Sequence, residues 1–181
     1  MDHADDTTDR AQDDLEVALA EHASAAAASQ GAVVVECGLH RSRGSASAHV
    51  VVYAADGMDA ARLGELTADL QFRLGAEPVL DAATIEVSTP GITRKLKADT
   101  EFDIFVGKAV RILAESADDW QEGLISGVQD QQVTLAPLPG HQGQSVVVAI
   151  ASIRKAQLTG AEHDRPAQRV SSSAIADQES D

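Results

Sequence analysis

Several things are scarce in this sequence, and each scarcity excludes something. A single cysteine, Cys37, stands among 181 residues, which rules out an internal disulfide and any site built from several thiolates. It lies in an apolar run, where a free cysteine behaves as a small buried hydrophobe. The aromatics are five, Tyr53, Phe72, Phe102, Phe105 and Trp120, too few for a platform that stacks the bases of a single strand. Basic residues are outnumbered, 14 Lys and Arg against 29 Asp and Glu, for a net charge of −15. A protein that grips naked nucleic acid by its phosphates needs the opposite balance. No stretch approaches the roughly 18 apolar residues of a membrane span. The acidic N-terminus also lacks the basic and apolar regions of a secretory signal, so a soluble cytoplasmic protein with no membrane contact is expected. The six histidines (His3, His22, His40, His49, His141 and His163) show no ligand spacing with cysteine or carboxylates, and no metal site is expected. Gly107-Lys108 alone is no phosphate loop, and no local motif pairs a nucleophile with a base. No catalytic residue or cofactor follows from the sequence.

What the sequence does hold is a clear order of elements. Residues 1–12 are polar, acidic and without apolar periodicity, and are expected to be disordered. From Asp13 onward, Leu15, Ala18, Leu19, His22, Ala25 and Ala26 recur at three- and four-residue spacing, the stripe of an amphipathic helix. Asp13 and Asp14 suit its N-terminus, and Gly31 is placed to stop it. Residues 32–37 and 49–53 are β-branched and almost continuously apolar, so they read as two strands, with the polar stretch 40–47 as a hairpin loop. Asp56-Gly57 marks a turn. A second helix opens near Asp59, with Leu63, Leu66, Leu70, Phe72 and Leu74 on one stripe, and Gly75 and Pro78 end it. Residues 84–88 alternate and make a third strand. The sum is α-β-β-α-β, a small sheet with two covering helices.

Pro90-Gly91 then punctuates the chain, with Gly91 at the position where a type II turn needs positive φ. Arg94, Lys95 and Lys97 form the only dense basic cluster. Thr100 and Asp103 have capping-box spacing ahead of a short helix carrying Phe102, Phe105 and Val106, and Gly107 closes it. Short strand-like runs follow at 109–113, 120–128, 132–135, 145–150 and 153–158, a spacing that predicts a five-stranded barrel bent at Gly123 and Gly127. Residues 161–181 are polar and are expected to be disordered. The domains expected are therefore an acidic tail (1–12), an α/β domain (13–92), a barrel domain with a short linker helix (93–160) and a second tail (161–181), in an α+β chain.

Charge is unevenly spread. Residues 1–30 carry −7, 31–97 carry −1, 98–160 carry −4 and 161–181 carry −3. Outside the terminal stretches 1–30 and 161–181, the acidic surplus falls mainly on the barrel stretch, which suits a basic partner. Glu115, Asp118, Asp119 and Glu122 gather around the first barrel hairpin, either as a solvated loop or as the surface such a partner meets. Trp120 among them reads as barrel core or rim, or as an interface anchor.

The most specific segment is Ile85-Glu86-Val87-Ser88-Thr89-Pro90-Gly91-Ile92-Thr93-Arg94-Lys95-Leu96. A strand ending in Ser-x-Pro-Gly, then Arg and Leu, then an aromatic helix and Gly-Lys-x-Val, resembles the bacterial RimP family of ribosome maturation factors. The match covers Glu86, Val87, Ser88, Pro90, Gly91, Arg94 and Leu96, and continues through Phe102, Phe105, Gly107 and Val110. Lys95 stands where that family usually has proline, which adds a charge and removes rigidity, and Ala54-Ala55 intervene before Asp56.

This resemblance implies a KH-like N-terminal domain and an SH3- or Sm-like barrel. It also implies a non-enzymatic assembly factor that acts as a monomer, binds the free small ribosomal subunit and meets the basic protein twelve of that subunit. Under it, Ser88, Pro90, Gly91, Arg94 and Lys95 are candidate partner contacts. Arg94 and its neighbours either stay in a solvated or salt-bridged linker or touch ribosomal RNA phosphate, and Arg41 and Arg43 on the hairpin could extend that surface. The alternative is a free KH/Sm-like RNA-binding regulator. Against it stand the acidic charge and the missing Gly-x-x-Gly loop of KH modules.

Overall fold

A computed structural model describes residues 3–42, 45–97 and 99–160. The chain divides into two compact units between Val106 and Gly107, so the short aromatic helix belongs to the first unit, and the second begins at Gly107.

In the first unit, α1 (His3–Ser29) starts ten residues ahead of the expected Asp13, and Gly31 with φ +63° ends it. Strands β1 (Val33–Ser42) and β2 (Ser45–Tyr53) form an antiparallel hairpin. Pairing runs from Val33↔Tyr53 to Ser42↔Ser45, so the expected long loop is mostly strand. Arg43 and Gly44 lie outside the described residues, as do 161–181. Helix α2 (Ala60–Leu74) is capped by Asp59, whose Oδ1 accepts the Arg62 backbone N–H at 2.9 Å, satisfying one of the free amides at a helix start. Pro78 opens a further short helix, α3 (Pro78–Asp81), where a proline costs no hydrogen bond. Strand β3 (Thr84–Ser88) runs parallel to β2, giving the order β1-β2-β3. Helix α4 (Glu101–Ile104) closes the unit.

One face of this sheet carries the hydrophobic core. Ala48, Val50 and Val52 alternate inward on β2 and meet Leu19, Ala23, Ala26 and Ala27 of α1 and Leu66, Leu70 and Leu74 of α2. Alanines at the α1 contact let its backbone approach closely, while the four-residue leucine spacing on α2 makes one stripe. Phe72 does not join that stripe. It follows Leu70 by two residues, about 200° around the helix, and is 85% exposed.

The second unit holds β4 (Ala109–Ala114), β5 (Gln121–Gln129), β6 (Gln132–Ala136), β7 (Val146–Ala149) and β8 (Ile153–Leu158). These pair in the order β7-β6-β5-β4-β8 around buried Ile112, Ile125 and Val133. The expected closed barrel is not formed: β7 pairs with β6 and β8 with β4, and no ladder joins the two edges. The sheet is nevertheless strongly curled. In a flat sheet β7 and β8 would lie about 19 Å apart, at about 4.8 Å per strand. The link from Ala149 to Ile153 is a single 3₁₀ turn, Ile150–Ser152, which at about 2 Å per residue covers less than half of that. Gly123 sits where β5 and β6 crowd: a Cβ there would lie 2.7 Å from the Ala136 carbonyl oxygen. The β5–β6 register shifts between Ile125 and Gly127, an irregularity of the kind that bends a strand, at the second of the two glycines. Among the described residues, no helix is long and apolar enough to cross a membrane.

Candidate functional site

The second face of the first sheet is where the motif residues gather, and a local irregularity puts them there. Val34 pairs with Val52 but Glu36 pairs with Val51, so Val35 is an extra, bulged residue in β1. In a regular strand Val34 and Glu36 would share a face. The bulge breaks that alternation. Val34, Cys37 and Leu39 can then all pack on the core side, and Glu36 reaches a cluster of cations beyond it. Gly38 lies opposite His49, with the imidazole over it: a Cβ on Gly38 would come within 2.3 Å of His49 Cε1. His49 Nε2 stands 3.8 Å from Glu36 Oε1.

Arg94 is the centre of this cluster. Its Nε and Nη2 donate to the two oxygens of Glu101 at 2.9 and 3.1 Å, and its Nη1 donates to Glu36 Oε2 at 3.0 Å. Its side chain is only 10% exposed, and that of Glu101 4%. Lys97 completes the arrangement, with Nζ 2.7 Å from Glu36 Oε1 and its backbone N–H donating to Glu101 Oε1 at 3.3 Å. Two carboxylates meet two permanent cations, so buried charge is balanced, as burial requires. Lys97 and Arg94 hold the Glu36 carboxyl below its ordinary range against an opposing burial effect. Glu101, then Glu36, raise the guanidinium's pKa further. Phe105 is fully buried beside this network, with its ring 5.0 Å from that of Tyr53 at an interplanar angle of 60°.

The chemistry here is that of a clamp. The fork of Arg94 ties the stretch ahead of α4 at once to β1 through Glu36 and to α4 through Glu101. Of the five motif residues singled out by sequence, Ser88 ends β3 opposite Val51, half-buried. Pro90 is also half-buried, and Gly91 is exposed. Gly91 does not adopt positive φ, so the expected type II turn is absent. The turn falls two residues later, with the Arg94 N–H donating to the Gly91 carbonyl at 2.9 Å. Lys95 is exposed and makes no ion pair among the described residues. The Thr100 side chain makes no capping bond; the first residue of α4, Glu101, is drawn to Arg94 instead.

Sequence reasoning missed Glu36 and Glu101. A lone glutamate inside the apolar run 32–37 was the available signal, because a carboxylate in a strand of that character needs a cation. Among the described residues, no group of three or more His, Cys, Asp or Glu side chains is placed to hold a metal ion.

The acidic residues predicted on the second unit also come together. Glu115, Asp118 and Asp119 occupy the β4–β5 connection and Glu122 the start of β5, all exposed. Trp120, 41% exposed, has the Arg111 guanidinium 4.8 Å over its ring, and Arg111 pairs in register with Glu122. The unit boundary changes the charge reading, however. Asp99, Glu101 and Asp103 belong to the first unit, which leaves Lys108, Arg111, Arg154 and Lys155 against Glu115, Asp118, Asp119, Glu122 and Asp130. Over its described residues, 107–160, the second unit carries four bases and five acids, and four of those acids lie between β4 and the start of β5.

Fold and site together define a two-unit α+β protein whose most distinctive segment is a linker locked by a buried arginine. No family model matches the chain. Relatives are found by direct comparison. The chain is 35% identical to the ribosome maturation factor RimP of Borrelia hermsii and 34% identical to that of Borrelia recurrentis, over 96 residues in each case, 52% of this chain and 64% of the relative. It is 28% identical to the RimP of Borrelia garinii subsp. bavariensis over 131 residues, 69% of this chain and 82% of the relative. In the first two comparisons the chain thus spans less than two thirds of the relative's length. The chain is similar to proteins named ribosome maturation factor RimP over 52% to 69% of its length.

Proposed function

We propose that the chain is a non-enzymatic ribosome maturation factor of the cytoplasm. In this reading it binds the free small ribosomal subunit as a monomer and works chiefly through protein contact with the basic protein twelve of that subunit. The similarity to proteins named ribosome maturation factor RimP carries the reading. The first unit is read as KH-like and the second as SH3/Sm-like; the strand order β7-β6-β5-β4-β8 with one 3₁₀ turn between β7 and β8 supports the latter. Contact with ribosomal RNA is secondary, because the clamp neutralises Arg94 and Lys97 and leaves Lys95 as the exposed cation of the motif.

Such a factor needs no nucleotide hydrolysis. A binder that prefers the assembled form of its partner shifts the population by its differential affinity, about tenfold for about 1.4 kcal/mol. Gradient sedimentation tests the reading: the protein is expected with free small subunits and not with mature ribosomes. Its absence from the small-subunit fraction overturns it.

A further inference from the structure

Resting on that reading, we infer that the outer face of α2, centred on Phe72, is where the first unit docks a basic protein segment. Taken at 100° per residue, Ala61, Gly64, Glu65, Ala68 and Phe72 fall within an arc of about 100°, and all five are exposed. The buried stripe Leu66, Leu70 and Leu74 lies on the opposite side. The outer face is about 16 Å long at 1.5 Å per residue. At one end it carries an aromatic ring 85% exposed, the kind of side chain that anchors interfaces when a partner desolvates it.

Gly64 gives an independent sign that something approaches this face. Glycine in a helix interior is less stable than alanine, so its presence calls for a reason. Nothing among the described residues supplies one: a Cβ built on Gly64 would meet none of their atoms within 4 Å, the helix's own backbone aside, and its φ is not in the left-handed region. A neighbour lying close against the helix would supply it, because the missing Cβ lets a second backbone or a bulky side chain come in beside Phe72.

Charge selects the occupant. The two arginines of α2 are both held by the molecule's own carboxylates, Arg62 by Asp56 at 3.1 Å and Arg73 by Asp69 at 3.0 Å. Arg62 is further engaged by the carbonyls of Gln30 and Gly57. Glu65, two turns before Phe72 on the same face, has no ion-pair partner among the described residues. The face therefore offers a carboxylate and an aromatic ring, which suits a Lys- or Arg-bearing polypeptide, with a cation paired to Glu65 or lying over Phe72. A phosphate backbone meets repulsion here, and so does a second copy of a chain whose net charge is −15.

The test is sedimentation of the full chain and its variants with purified free small ribosomal subunits. Phe72→Ala, at a site too exposed to disturb folding, is expected to weaken binding at least tenfold. Glu65→Gln is expected to weaken it several-fold and to flatten its salt dependence. Gly64→Ala should raise the melting temperature by about 4 °C or more while weakening binding several-fold, a combination that no loss of folding can produce. If the wild type binds and all three variants bind equally well, this surface is overturned and the assembly reading stands. If Glu65→Lys strengthens binding, the face meets phosphate and the basic-protein assignment fails. If the wild type itself does not bind, both readings fall.

Discussion

Replacing Arg94 by methionine should unfold the first unit far more easily, and the size of the effect follows from the clamp. The substitution keeps most of the aliphatic volume and removes three charged hydrogen bonds, two to Glu101 and one to Glu36. Glu36 retains Lys97 at 2.7 Å and is 28% exposed, so water and one cation still serve it. Glu101 is left with a single backbone N–H at 3.3 Å, in a site where its side chain is 4% exposed. Removing one partner of a buried ion pair costs about 3–5 kcal/mol. With Glu36 largely compensated, the lower end applies, about 3 kcal/mol. That is a large share of the roughly 5–15 kcal/mol that holds a domain together, and it corresponds to a fall of about 12 °C or more in melting temperature.

Urea titration of the full chain, followed by far-ultraviolet circular dichroism, measures the loss. Two companions make the reasoning refutable. Arg94→Lys cannot present the fork that reaches both carboxylates, and its stability should fall between wild type and Arg94→Met. The double variant Arg94→Met/Glu101→Leu removes both buried charges and should recover to within about 1 kcal/mol of wild type, because an apolar replacement of a buried pair is close to neutral. A loss below about 1 kcal/mol in Arg94→Met would show that the guanidinium is not a buried keystone. A double variant as unstable as the single one would show that the cost lies elsewhere than in the stranded carboxylate.

Three further outcomes are expected. The Glu36 carboxyl titrates below its ordinary value of 4.5, so its stabilisation is fully present above that pH and is lost as pH falls through the lower folded value; Glu36→Gln should flatten the acid limb of the stability profile below about pH 4.5. Burial, with Glu16 adding, pushes the Cys37 thiol up to about 11 from 9.0, so it should resist iodoacetamide at pH 8 until urea is added, and stability should decline between pH 9 and 11 as the unfolded thiol ionises first. Gly123→Ala drives a Cβ to 2.7 Å from a backbone carbonyl and 3.0 Å from Leu135 Cβ, and should cost about 1–3 kcal/mol, read in the second unit by the fluorescence of Trp120.

The parts of this molecule legible in its sequence are those with a repeating reason. The leucines of α2 return every four residues, the strand 84–88 alternates, and Asp59 stands where a helix needs an acceptor; each reads directly because the same physics acts at every turn. What stayed hidden depends on a single residue breaking a period. Residues 32–37 look like one apolar strand, and alternation alone would set Glu36 on the core side with Val34. Val35 bulges out, the register slips, and Glu36 is delivered to the opposite face, where Arg94 waits 58 positions later in the chain. The bulge also explains why the Ser-x-Pro-Gly segment is followed by an arginine. Helices α1 and α2 pack on one face of the three-stranded sheet, and Arg94 reaches Glu36 of β1 and Glu101 of α4 together. Of the motif residues singled out in the sequence, Arg94 is the one held inward, by Glu36 and Glu101, while Gly91 and Lys95 stay exposed. Phe72, counted with the leucine stripe from the sequence, is instead 85% exposed, because two residues after Leu70 a helix has turned about 200°.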